Sequence, residues 1–200
     1  MVYNYDEYLK IPKYPRYGFV YYVLGDFIDD TINYPVDLRD ICDKNNWKLI
    51  PYTSFDWKLY SISSDGFSFV NNGEVCIFYN ESQMTERINF TIAHEIGHIV
   101  LGHLFTNDVL SHNKLVKNNV LEIEANVFAR NLLSPAPLIV NLKQLPSPKK
   151  FAKKFNVSEQ FMNIRYQYLD LDYKSVKYSD RVVEKFKHYT NEINLISVHM

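Results

Sequence analysis

Two hundred residues, 46% of them hydrophobic and 22% charged, suffice for one domain with a real core, or for a domain and a small appendage. A net charge of −1 gives no basic field that would draw the chain to nucleic acid or anionic lipid. Two cysteines, Cys42 and Cys76, with no CxxC pair, exclude a disulfide scaffold. The opening MVYNYDEYLKIPKY carries acidic residues and lacks the apolar stretch of a signal peptide. The apolar run from Phe19 to Leu24 is too short to span a bilayer. The expectation is a soluble, cytoplasmic protein with no membrane contact.

In chain order, residues 17–29 (YGFVYYVLGDFID) are apolar and aromatic and fit a helix or a strand. Pro35 stands where a helix can start, and Leu38, Ile41 and Cys42 repeat at helical spacing, so 35–44 reads as a short helix. Residues 47–52, 57–62, 66–71 and 74–80 read as strands, rich in β-branched and aromatic residues and separated by turn residues. Asn72-Gly73 predicts a two-residue type I′ turn, making 66–80 a hairpin. In its second strand Val75, Ile77 and Tyr79 share one face, and Cys76 and Phe78 the other. The 74–80 strand is expected to border the substrate cleft and to offer substrate a free edge.

From residue 84 the period becomes helical. Ile88, Ile92, Ile96 and Ile99 form one stripe of a helix over 84–101, with Gly102 as terminator. The polar 106–119 reads as a loop and 119–133 as a helix stopped by Ser134-Pro135. Beyond Pro146-Ser147-Pro148, helical segments are expected at 148–155, 158–170 and 179–190, with Ser158 and Ser179 as N-caps. Strands first and helices after give an α+β fold: a small antiparallel or mixed sheet packed on a zincin-like active-site helix pair. The expected organisation is a catalytic domain over 1–146 and a helical C-terminal region over 147–200.

Within the long helix lies His94-Glu95-Ile96-Gly97-His98, an HExxH motif. Residues four apart lie about 40° apart around a helix, so both imidazoles can share one zinc ion. Glu95, about 100° from His94, sits beside the ligands, where it can act as base toward a water whose pKa zinc lowers to about 7. The isoleucine stripe is continuous on the opposite face, which leaves the histidine side for a cleft. A catalytic zinc usually takes a third protein ligand. Leu101 and Leu104 stand where a metzincin-type extension needs Gly and His. His103, about 180° from His94 on a continued helix, reads as a buried or rim histidine. The next helix offers a better ligand, because Glu122, Ala125, Asn126 and Ala129 share one side of it. The alanines permit close approach, and Asn126 can hydrogen-bond a ligating histidine. Glu124, about 160° from Glu122's direction, is simplest in solvent, so Glu122 is the preferred third ligand. Tyr79, His103 and Arg87 are candidates for substrate or oxyanion contact.

These segments carry a family resemblance. RINFTIAHEIGHIVLGH at 87–103 and EIEANVFARNLLSP at 122–135 resemble the two motif blocks of the ImmA/IrrE metallopeptidases of bacteria and phages. NYPVDLRDICDKNNWKLIPY at 33–52 and EVCIFYN at 74–80 are similar to that family's leading helix and strands, so the resemblance covers about 33–170. Ser134 departs from it, since methionine is common there. The resemblance implies zinc, one ion per chain, held by His94, His98 and Glu122, with Glu95 as general base. It also implies an α+β catalytic domain with a helical C-terminal region, and a helix-turn-helix repressor of a stress response or mobile element as protein substrate. Two other readings compete with it. FAKKFNVSEQFMNIRYQYL at 151–169 has the rhythm of a helix-turn-helix, which would suit a DNA-binding regulator, although the near-neutral charge argues against direct nucleic-acid binding. A catalytically silent interaction protein could keep zinc for stability alone.

Overall fold

A computed structural model describes residues 12–28, 32–105, 119–140 and 145–176. Residues 106–118 of the loop expected at 106–119, and the helix expected at 179–190, therefore lie outside the described residues. The aromatic N-terminal segment is a helix, α1 (Tyr17–Phe27), which buries Val20, Tyr21 and Leu24. Helix α2 (Leu38–Lys44) starts later than Pro35 suggested, because Asp37 accepts from the backbone N–H groups of Arg39 and Asp40 and so forms its N-cap.

The sheet holds β1 (Lys48–Pro51), β2 (Gly66–Asn71) and β3 (Glu74–Tyr79) in the order β1-β3-β2. Strand β3 pairs parallel with β1 and antiparallel with β2, from Gly66 opposite Tyr79 to Asn71 opposite Glu74. Asn72 and Gly73 take φ of 50° and 83°, the positive values the turn requires. The expectation that the 74–80 strand offers substrate a free edge is overturned, since β3 is paired on both sides. Its composition gives the reason: both faces are apolar, which suits a central strand. Val75, Ile77 and Tyr79 join the main core, and Cys76 and Phe78 join a smaller cluster with Tyr52 and Leu59.

The expected strand at 57–62 is instead a short 3-10 helix, Trp57–Ser61. Asp56 accepts from the backbone N–H of Lys58 and turns the chain, so that Leu59 covers the outer face of the sheet.

On the other face lies α3 (Thr85–Val100), with Ile92, Ile96 and Ile99 buried. Gly102, at φ 75°, ends it. Helix α4 (Asn119–Leu133) packs on α3, followed by a short helix that the sequence did not suggest, α5 (Ala136–Val140). Helices α6 (Pro148–Phe155) and α7 (Glu159–Val176) pack on each other, and α7 also on α1 and α5. Their shared core residues are Phe151, Ala152, Phe155, Val157 and Met162. Ser158 caps α7 by accepting from the Phe161 N–H. The architecture is α+β, mostly helical, with a small mixed sheet. Among the described residues no helix is long and apolar enough to cross a membrane.

Candidate metal centre

Close contact between α3 and α4 creates the site. A Cβ added at Gly97 would lie 3.2 Å from the Ala125 carbonyl oxygen and 3.3 Å from Phe128 Cβ, so the glycine sets the spacing of the two helices. With the helices this close, Glu122 of α4 faces His94 and His98 of α3. The two Nε2 atoms are 3.0 Å apart, and Glu122 oxygens lie 3.4 Å from His94 Nε2 and 3.5 Å from His98 Nε2. Zinc–ligand bonds of about 2.0–2.1 Å in a tetrahedron put neighbouring ligand atoms about 3.3 Å apart, so the donor set and its spacing fit zinc. Among the described residues these three side chains form the one such group able to hold a metal.

The far side of each imidazole is also engaged. His94 Nδ1 lies 3.0 Å from Asn126 Oδ1, which can only accept, so this nitrogen carries the proton and Nε2 keeps its lone pair. His98 Nδ1 lies 3.0 Å from Nδ1 of His103, whose Nε2 is 3.1 Å from Glu124 Oε2. Glu124 accepts from the Arg16 backbone N–H at 2.7 Å, from its Nε at 2.9 Å and from an Nη at 2.8 Å.

Glu124 is therefore not in solvent as expected: it is 0% exposed and His103 only 2%. Its own helix, α4, gives Glu124 a direction but not its partners, and His103 does not lie on a continuation of α3. Gly102 redirects the chain into a short turn, His103–Phe105, and that turn brings His103 against the side of α4 that carries Glu124.

These surroundings shift the titrations. The neighbouring imidazoles, His94 first and then His98, hold the Glu122 carboxyl well below the usual range, against its burial. Burial opposes protonation of His94, but Glu122, Glu95 and Asn126 outweigh it and raise this imidazole above its ordinary value. Burial lowers His103, despite the opposing carboxylate of Glu124.

Glu95 is buried beside the ligands, and Ser68 Oγ of β2 donates to its Oε2 at 2.6 Å. A cavity of about 860 Å³ opens over this group. Its lining includes Gly66 and Ser68 of β2, Phe90 and the HExxH side chains of α3, and Phe161 and Tyr168 of α7. Arg87 and His103 also line it, and Tyr79 does not. Arg87 is exposed and paired with Asp65 at 2.6 Å, whereas Tyr79 packs against the main core. Sequence reasoning missed Ser68, Arg16 and the role of Glu124. The one readable signal was Ser68 itself, a polar residue between Phe67 and Phe69, on the strand face turned to α3.

Residues 52–167 match the sequence profile of Peptidase_M78, described as the IrrE N-terminal-like domain. No curated protein and no solved structure is similar enough to be matched to the chain.

Proposed function

The chain belongs to the IrrE N-terminal-like family, a family of metallopeptidases, and from that premise we propose that it is a zinc-dependent endopeptidase of the HExxH type. The observation that carries this reading is the convergence of His94, His98 and Glu122 beside the buried Glu95, at the floor of a cavity. Zinc held by these three residues supplies Lewis acidity toward water and the scissile carbonyl. Glu95 takes the proton of the attacking water and returns it to the departing amine, so that one carboxylate serves as base and then as acid. Ser68 holds one of the two Glu95 carboxylate oxygens by donating to it.

Among the described residues β2 is paired on one side only, and its Gly66–Ser68 stretch lines the cavity. Substrate backbone is thus better received along β2 than along β3, as an added strand. The substrate is a cytoplasmic helix-turn-helix repressor, as the family resemblance suggests.

The test incubates zinc-loaded protein with the repressor encoded beside its gene and maps the products by mass spectrometry. One zinc per chain and one or a few cuts are expected. Glu95→Gln should keep the metal and lose turnover by about 10²- to 10⁴-fold. Near-normal turnover in that variant would remove Glu95 from the mechanism. Zinc binding without cleavage of any repressor would favour a silent interaction protein.

A further inference from the structure

We propose that His103, Glu124 and Arg16 form a positioning chain, buried at His103 and Glu124, that fixes the tautomer and orientation of His98 for zinc. The inference rests on the zinc reading above but concerns residues outside the ligand set. A carboxylate only accepts hydrogen bonds, so His103 Nε2, 3.1 Å from Glu124, carries a proton. The remaining Nδ1 of a neutral His103 then accepts from His98 Nδ1–H across 3.0 Å. That leaves the lone pair of His98 on Nε2, the atom facing His94 Nε2 and Glu122. The opposite arrangement, in which His103 donates from both nitrogens, would put the His98 proton on Nε2 and spoil the ligand.

Arg16 completes the chain. Its backbone N–H and guanidinium bind both oxygens of Glu124, a bidentate grip that fixes the carboxylate plane. The residue just before α1, remote in sequence, thereby acts on a helix that contributes the third ligand, and through it on His98. Among the described residues, Asn126 does the corresponding work for His94. The two ligating histidines are thus held differently, one by a neighbour on α4 and the other through three residues in series.

The test measures zinc affinity by competition with a chromogenic chelator, together with proton-detected ¹⁵N imidazole spectra of metal-free protein. Wild type should show a slowly exchanging His98 Nδ1–H signal. His103→Ala should lose that signal and bind zinc about 10- to 100-fold more weakly. His103→Asn, which can turn its amide oxygen toward His98, should recover much of the affinity. A role in packing alone would not distinguish Asn from Ala in this way. Arg16→Gln touches no ligand and guards against a folding defect in the His103 variants: it should weaken zinc binding several-fold. Wild-type affinity in both His103→Ala and Arg16→Gln, or equal losses in His103→Ala and His103→Asn with both folded, would overturn the proposal. Failure of wild type itself to bind zinc would instead sink the metallopeptidase reading.

Discussion

Ser68 reaches Glu95 from a different element, and its hydroxyl donates to one carboxylate oxygen at 2.6 Å. A hydrogen bond to a charged group contributes about 1.5–3 kcal/mol, so its loss should be felt where the orientation of the carboxylate matters. Ser68→Ala is expected to lower kcat about tenfold or more with little change in KM, because the variant still binds substrate but lets Glu95 rotate. Steady-state kinetics on a peptide substrate measures this, and an unchanged kcat would show that Glu95 needs no such support. The pairing of His94 with His98 was legible because helical spacing stands directly in a sequence, and Glu122 because it shares one side of its own helix with Ala125, Asn126 and Ala129. Ser68 and Arg16 were not, because they meet the site only after a strand and the start of α1 have packed against it. Glu124 was misread for a related reason: its direction was judged from its own helix, while its partners come from α1 and from the turn after Gly102.

At the scale of elements, the distance between α3 and α4 is the quantity the site depends on. Gly97→Ala adds a methyl group 3.2–3.3 Å from Ala125 backbone and Phe128 Cβ, and a helix backbone yields less readily than the tip of a flexible side chain. The variant should lose about 1–3 kcal/mol of stability and bind zinc less tightly, since Glu122 is carried away from the histidines. Denaturant unfolding of metal-free protein, paired with zinc titration, checks both effects, and unchanged values in both would mean the helices can separate without consequence.

The elements that periodicity specifies were readable: the isoleucine stripe of α3, the Asn-Gly hairpin and the proline-bounded end of α4. Residues 57–62 were not, because their aromatic and branched residues suit a strand as well as a 3-10 turn. The Asp56 cap and the cover that Leu59 gives the sheet decided between them. The place of β3 within the sheet was likewise hidden, since a strand's own residues do not say which neighbours it takes.

Over the whole molecule, the catalytic and C-terminal helices are joined by a buried charge cluster. Arg130 of α4 grips Asp172 of α7 with contacts of 2.6 and 2.7 Å, and Arg165 is paired with the same carboxylate. Arg165 also donates to the Ser134 carbonyl and to Asn131 at 2.9 Å. Burial disfavours the charged Asp172, but hydrogen bonding from Arg130 and the charges of Arg165 and Arg130 prevail and hold its carboxyl below the usual range. Glu124, opposed by burial and held by Arg16 and His103, is lowered to about 2. Lowered carboxylates stabilise the fold above their unfolded pKa of about 4, and the contribution disappears as pH falls through the folded values. Asp172→Asn should therefore cost about 3–5 kcal/mol at neutral pH, because it leaves two buried guanidinium groups without their partner. The gap between variant and wild type should begin to narrow below about pH 4, where Asp172 of the unfolded wild-type chain takes up a proton, and close as pH falls through the lower value of the folded state. Thermal unfolding of chelator-treated protein between neutral and acid pH tests this, and a gap independent of pH would contradict the assigned ionisation. Asp172 also bears on how substrate selection is tested. We expect specificity for a folded repressor to come from contacts remote from the scissile bond, since binding energy spent there can position the peptide over the metal. The 106–118 segment and residues 177–200 flank the elements that line the cavity in sequence, and they are where such contacts are sought. A truncation must begin after Val176, because one that starts at Leu171 also removes Asp172 and unties α7 from α4. With the fold kept, deleting 177–200 or shortening 106–118 should reduce kcat/KM for the repressor about tenfold or more, while a short peptide spanning the cut site loses little. Equal losses on both substrates, or efficient digestion of casein by the intact protein, would place selectivity in the cavity alone.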